Sequence, residues 1–353
     1  MCLPRPGHDV STMPSWCTTC GKDMKIAAVV VTYNRKALLI ECLGGLAVQD
    51  RKPDYLYVVD NASSDGTFEH FGQEYFLDAA CEHTNNARLS SEHRFWFPLP
   101  SGGGFLEGLY MRLNQNSGGA GGFHAGVKKA SRDGFDWVLV MDDDAELDPK
   151  ALHILEAFLN RSDRNKISGL ACRKVDHTGN IQAIHRGFLS PLSLRPRALP
   201  GKEYTRESIP IDYASFVGLL LNNQAVRDVG YPIKEFFIYC DDIEYCLRLR
   251  RFGSIQLVPE AIIVHKDKLY TDPKEASKNI PLSAYWKRYY GIRNLTYLTR
   301  VHFKTSSMKT FLVLLLPRIV KVAVTQKDKR QKIALLCKGW LEGVRAHSIQ
   351  DLQ

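Results

Sequence analysis

Three apolar runs, each closed by polar or acidic residues, constrain what this 353-residue chain can fold into more than any other feature. They read "IAAVVVTYN", "YLYVVDNASSDGT" and "WVLVMDDDAEL". An unbroken apolar run of this length reads as a strand buried on both faces, the pattern of parallel sheets covered by helices. Helical spacing in "RKALLIECLGGLAVQ" falls between the first two runs and in "PKALHILEAFLN" after the third. Strand, helix and strand in this order form a right-handed βαβ unit. The expected architecture is α/β: one doubly wound, Rossmann-like, mostly parallel sheet followed by C-terminal helices.

Other segments are expected as follows. Residues 82–108 are polar, then rich in Pro and Gly, and read as a long loop. "NSGGAGGF" reads as a turn, with a helix starting near His124. It is not a dinucleotide fingerprint, because His124 stands where a third Gly or Ala is needed, and no P-loop pattern occurs. Asn116 beside these glycines suits close approach of backbone to a ligand. Residues 1–24 read as a flexible leader. Residues 25–283 read as a catalytic domain, with a nucleotide-binding half (25–150) and an acceptor-binding half (151–283). Residues 284–353 read as a basic tail.

Charge supports that division. Residues 284–353 hold 14 Lys/Arg and 3 Asp/Glu, a net of +11, while the rest holds 33 and 35, a net of −2. A basic segment points to an anionic partner, membrane headgroups or nucleic acid. The apolar stretch "FLVLLLPRIVKVAV" is too short and too charged to span a bilayer. With its basic flanks it reads as an amphipathic helix lying on a membrane surface, which disfavours nucleic acid. Nine scattered cysteines fit a reducing compartment, and the lone C-x-x-C of Cys17 and Cys20 lacks a second pair at zinc spacing.

The chemistry gathers at strand ends. In an open α/β sheet these face the ligand crevice. Asp60 ends the second run, and Asp142, Asp143 and Asp144 end the third. Crowded carboxylates raise each other's pKa unless a cation lies among them. Along extended backbone Asp142 and Asp144 point to one side and Asp143 to the other. A lone D-x-D is more simply a solvated turn or a helix cap; at the end of a buried strand it favours a hard divalent ion with a diphosphate. "YCDDIEYCLRLRRFG" supplies a second acidic group. It reads either as a capped helix start or as a general base, Asp241 or Asp242. His265 ends a later run and is a candidate metal ligand.

Together "VVVTYNR", "VVDNASSDGT", "NSGGAGGF", "MDDDAEL", and "FFIYCDDIEYCLRLRRFG" with "VHKD" resemble the family 2 glycosyltransferases of GT-A fold. The blocks occur in the family's order from residue 26 to about residue 267. "YYGIRNLTYL" is similar to C-terminal helices of membrane-peripheral members that build bacterial cell-surface glycans.

That resemblance implies an inverting transfer from a nucleotide sugar. It places the nucleotide against Thr32, Tyr33, Arg35 and Asp60, with Asp143 near the ribose. It gives Mn²⁺ or Mg²⁺ to Asp142 and Asp144, with His265 matching a metal-ligand histidine of the galactofuranosyltransferase branch. Asp242 corresponds to the base; Asp241 stands where many members have Glu, which keeps both residues in play. The implied donor is UDP-galactofuranose, with dTDP-rhamnose as the alternative. The implied acceptor is a polyprenyl-diphosphate-linked glycan, met on the cytoplasmic face of the plasma membrane. Homo-oligomers are an open expectation. A non-catalytic nucleotide- or glycan-binding module is the reading from another class.

Overall fold

A computed structural model of the chain describes residues 24–76, 89–100, 102–190, 195–266 and 280–346. Strand β1 (Ile26–Thr32) is buried along its whole length. Ile26, Ala28 and Val30 face one apolar layer, and Ala27, Val29 and Val31 the other. Helix α1 (Lys36–Ala47) covers the first layer through Leu39, Leu43 and Leu46. Strand β2 (Tyr55–Asp60) lies parallel to β1, and α2 (Thr67–Glu74) adds Phe71 to the same layer.

Next comes a hairpin, β3 (Leu89–Pro98) and β4 (Phe105–Leu113), paired antiparallel, with β4 parallel to β2. The expected loop over 82–108 is therefore mostly strand where it is described; residues 77–88 lie outside the described residues. The signal was alternation: Ser91, His93, Phe95 and Phe97 are buried and their neighbours are not. "PLPSGGG" is only the hairpin connection, with Gly102 at φ +73.

Helix α3 (Gly118–Arg132) packs on the opposite face. The glycine run is its first turns rather than a preceding turn. A Cβ on Gly122 would stand 2.5 Å from Val31, and one on Gly126 2.3 Å from Val29, so glycine lets this helix lie directly on β1. Strand β5 (Trp137–Asp142) then pairs parallel to β1. The chain turns at Asp143 and Asp144 into β6 (Ala145–Leu147), and α4 (Ala151–Asn160) returns over the α1 face.

The second half is mixed. Strand β7 (Ile167–Val175) leads to a small sheet of β8 (Arg186–Ser190), β9 (Arg195–Ala198) and, after β10 (Ile209–Ile211), β11 (Tyr213–Ala214). Strand β12 (Leu219–Asn222) enters α5 (Asn223–Val229), followed by α6 (Asp241–Leu249) and β13 (Ser254–His265). The large sheet runs β10-β13-β7-β12-β5-β1-β2-β4-β3, with β6 on β13. Its centre, β5-β1-β2-β4, and the β7/β13 pair are parallel.

Helices α7 (Trp286–Phe303), α8 (Ser307–Thr310), α9 (Leu316–Thr325) and α10 (Lys329–Arg345) form a layer with its own apolar centre around Ile292, Leu314, Leu315 and Leu336. Residues Phe311–Leu315 form a π-helical turn just before Pro317. Proline has no N–H and crowds the carbonyl four residues back, so widening this turn relieves the clash. Among the described residues no helix is long and apolar enough to cross a membrane.

Candidate active site

The site grows from the sheet's carboxyl edge. Pairing of β6 with β13 sets Ala145 opposite His265, which brings that imidazole beside Asp144. His265 Nε2 lies 3.0 Å from Asp144 Oδ1. Ligand atoms of Asp142, Asp144 and His265 all fall within 4.8 Å of one another. Asp144 Oδ1 and His265 Nδ1 are buried without a hydrogen-bond partner, the 3.0 Å contact being too poorly aligned to serve as one. Two carboxylate oxygens and an imidazole nitrogen, left partly unsatisfied, suit Mn²⁺ or Mg²⁺, with imidazole better matched to manganese. Burial, and then the charges of Asp144 and Asp143, push the Asp142 carboxyl well above its usual range. Burial would raise Asp144 too, but His265 and Arg35 hold it below that range. The grouping of Asp142 with Asp144 arises from the turn after β5, not from extended backbone.

Asp143 faces the other way and is buried. Its Oδ2 accepts from Thr32 Oγ1 at 2.7 Å, which locks the end of β5 to the end of β1. Arg35 Nη1 reaches Asp143 at 3.3 Å and Asp144 at 2.5 Å. Tyr33 is 43% exposed beside them. Asp60 is fully buried: Oδ1 accepts from Ser63 N at 2.8 Å and Oδ2 from the Tyr110 hydroxyl at 2.7 Å. Asp60, expected at the nucleotide, thereby also shapes the loop after β2. Asn116 is exposed and accepts from Gly118 N at 2.9 Å, capping α3. Sequence reasoning missed Asn61, whose side chain bonds Gly118 O at 2.7 Å and Ser117 N at 2.8 Å and fixes the same helix start.

The acidic pair opens α6, at the end of a strained loop. Phe237, Tyr239 and Cys240 all have positive φ, and Ile238 N bonds Phe236 O at 2.6 Å across a tight turn. Such backbone persists only where its surroundings enforce it. Here α7 does so: Asn294 Nδ2, buried, donates to Phe236 O, Ile238 O and Tyr239 O at 2.9, 3.0 and 2.9 Å. The loop in turn sets Asp241 inward and half-buried Asp242 into a cleft of about 520 Å³. Burial, then the neighbouring Asp242, raises Asp241 to about 8. Burial raises Asp242 less, to about 6, because the Ile243 N–H and the charges of Arg186 and Lys174 favour its anion.

Three further residues connect the two acidic groups. His185 lines the Asp242 cleft, and its ring lies 6.3 Å from that of His265. Burial, then Lys174 and Arg186, holds its pKa down near 2, so the imidazole is neutral. Lys174, buried in β7, is felt by both Asp142 and Asp242. Arg186 is fully buried and donates to Cys172 O at 3.0 Å and Ser215 Oγ at 3.0 Å. These residues carry no distinctive spacing; β7 and β8 bring them to the site.

Residues 107–219 match the model of Glycosyl transferase family 2. That match covers the middle of the chain, from β4 to the start of β12. It is 28% identical over 229 residues to galactofuranosyltransferase GlfT1 of Mycolicibacterium smegmatis, an alignment covering 65% of this chain and 66% of that protein. The chain thus spans just under two thirds of that relative. It is 24% identical over 278 residues to an N-acetylglucosaminyl-diphospho-decaprenol L-rhamnosyltransferase of Mycobacterium tuberculosis, covering 75% of this chain and 82% of that one. Among solved structures, GalNAc-T7 with UDP, GalNAc and Mn²⁺ superposes with a TM-score of 0.56 at 12% identity, over 92% of this chain and 56% of that one. That likeness places the chain in the α/β GT-A fold.

Proposed function

We propose that this chain is a family 2 glycosyltransferase that transfers a sugar from a nucleotide donor to a hydroxyl of a lipid-linked cell-surface glycan, with inversion. The observation that carries this reading is the cleft: Asp242 opens into it, and His185 in its wall leads to the His265, Asp144 and Asp142 group. A base in a cleft whose wall, at His185, adjoins a group suited to a metal and diphosphate fits a single displacement.

Asp142, Asp144 and His265 would hold Mn²⁺ or Mg²⁺, which when bound supplies charge neutralisation for a leaving nucleoside diphosphate. Thr32, Tyr33 and Arg35 line the donor side, and Arg35 is free to exchange Asp144 for a donor phosphate. Asp242 takes the acceptor proton. Of the buried pair it is the better base, since Asp241 keeps its proton at neutral pH while Asp242 is ionised. Attack from the Asp242 side expels the diphosphate from the opposite face, so no covalent enzyme intermediate forms.

We assign UDP-galactofuranose as donor, supported by the likeness to GlfT1. The likeness to the rhamnosyltransferase, which covers more of both chains, keeps dTDP-rhamnose as the alternative. A membrane surface is the proposed second partner, at the cytoplasmic face. Met308, Leu312, Leu316, Val320 and Val324 recur every fourth residue and are 38–75% exposed on the most basic part of the chain.

The test is product release. With Mn²⁺, UDP-galactofuranose and a lipid-linked acceptor, the chain is expected to release UDP and lengthen the glycan. EDTA should stop this and Mn²⁺ restore it. Turnover indifferent to chelator would remove the metal role, and binding of donors without turnover would favour the non-catalytic module.

A further inference from the structure

The Asp242 cleft has a cationic wall. Besides the carboxylate it is lined by Arg195 of β9 and by Pro317, Arg318 and Lys321 of α9. Among the described residues none of these three cations is in an ion pair. Arg318 Nη1 donates to Leu314 O at 2.5 Å and Arg195 Nη2 to Val313 O at 3.4 Å. Val313 lies in the π-helical turn four residues before Pro317, so Arg195 reaches the stretch of helix that the proline distorts. Burial and then the positive charge of Arg195 lower the Arg318 pKa, as expected of cations gathered without an anion.

Two guanidinium groups and an ammonium in the wall of a cleft suit a phosphate or diphosphate. The donor's own diphosphate belongs beyond His185, at Asp142, Asp144 and His265. An anion bound beside Asp242 therefore enters with the acceptor. The exposed apolar stripe continues from the same helix, since Leu316 and Val320 immediately precede Pro317 and Lys321. We propose that Arg195, Arg318 and Lys321 anchor the phosphate or diphosphate of a lipid-linked acceptor, with its glycan directed to Asp242 and its hydrocarbon leaving along Leu316 and Val320. This rests on the glycosyl-transfer reading, which by itself assigns the acceptor only its base, Asp242.

The test is calorimetric titration of the full chain with farnesyl diphosphate and with farnesol, UDP and Mn²⁺ being present to fill the donor site. Arg195 and Lys321 are exposed, so Arg195→Gln and Lys321→Gln leave folding intact. Each is expected to weaken farnesyl diphosphate by about tenfold, the loss of one charge-assisted contact. Farnesol and UDP should bind as before. Unchanged affinity for the diphosphate, or equal losses for diphosphate and alcohol, overturns the assignment. Selective loss in the variants, together with no sugar transfer by the wild-type chain, would keep the anion site and discard the transfer reading. Transfer whose acceptor KM ignores both substitutions would do the reverse.

Discussion

At the residue scale the carboxylate pair at the head of α6 matters most. Asp242→Asn is expected to lower turnover by about 10²–10⁴-fold, the usual worth of a positioned base, while donor affinity stays within twofold. Steady-state kinetics beside donor titration checks this, and near-normal turnover would remove Asp242 as the base. Acting as the proposed base, Asp242 is ionised, and with its carboxyl raised to about 6 in the free chain, kcat/KM should rise with pH through about 6 and level off above it. Asp241 behaves oppositely toward stability. Its folded pKa, near 8, lies above that of an unfolded chain, so the folded state holds more protons between about pH 4 and 8 and loses stability as pH rises. Asp241→Asn should therefore raise Tm more at pH 7.5 than at pH 5.

At the element scale two contacts decide the geometry. Asn294 alone makes three hydrogen bonds to the strained loop before α6. Asn294→Ala leaves the carbonyl of buried Phe236 without this donor, at about 1–3 kcal/mol for an unsatisfied group, and loosens the hold on the loop's φ values. The expectation is a lower Tm and a kcat that falls more than KM rises; an unchanged kcat would show that the loop holds its shape without Asn294. The second contact is α3 on β1. Gly126→Ala puts a methyl group 2.3 Å from Val29 and should cost about 1–3 kcal/mol in denaturant unfolding.

These elements also show what the sequence could disclose. The strands β1, β2 and β5 were legible because burial on both faces demands unbroken apolar runs. The acidic strand end was legible because three adjacent carboxylates are costly without a purpose. β3 was hidden, because Ser, Glu, His and Arg alternate with its core residues and leave no apolar block. The glycines of α3 read as a turn because their use is tertiary, a close approach to Val29 and Val31 that helical propensity cannot express. Lys174, His185 and Arg186 were invisible for the same reason: their neighbours come from other strands.

At the scale of the whole molecule, a neutral body carries a basic helical layer with an apolar stripe. Adsorption to vesicles containing anionic lipid should weaken on Leu316→Ser or Val320→Ser and with added salt, as read by co-sedimentation. Both side chains are exposed, so the fold should tolerate the changes; unaltered partitioning would count against this surface as the contact. Removing residues 284–353 is a poorer experiment, because α7 is needed by the loop that carries the acidic pair.

Asn294 has a practical corollary. Its amide grips a segment more than fifty positions earlier in the chain. Grafting the C-terminal helices of one homologue onto the sheet-bearing body of another therefore transplants what orients the acidic pair along with the exposed apolar stripe. Chimeras cut between β13 and α7 will work only where both halves of that grip come from the same parent.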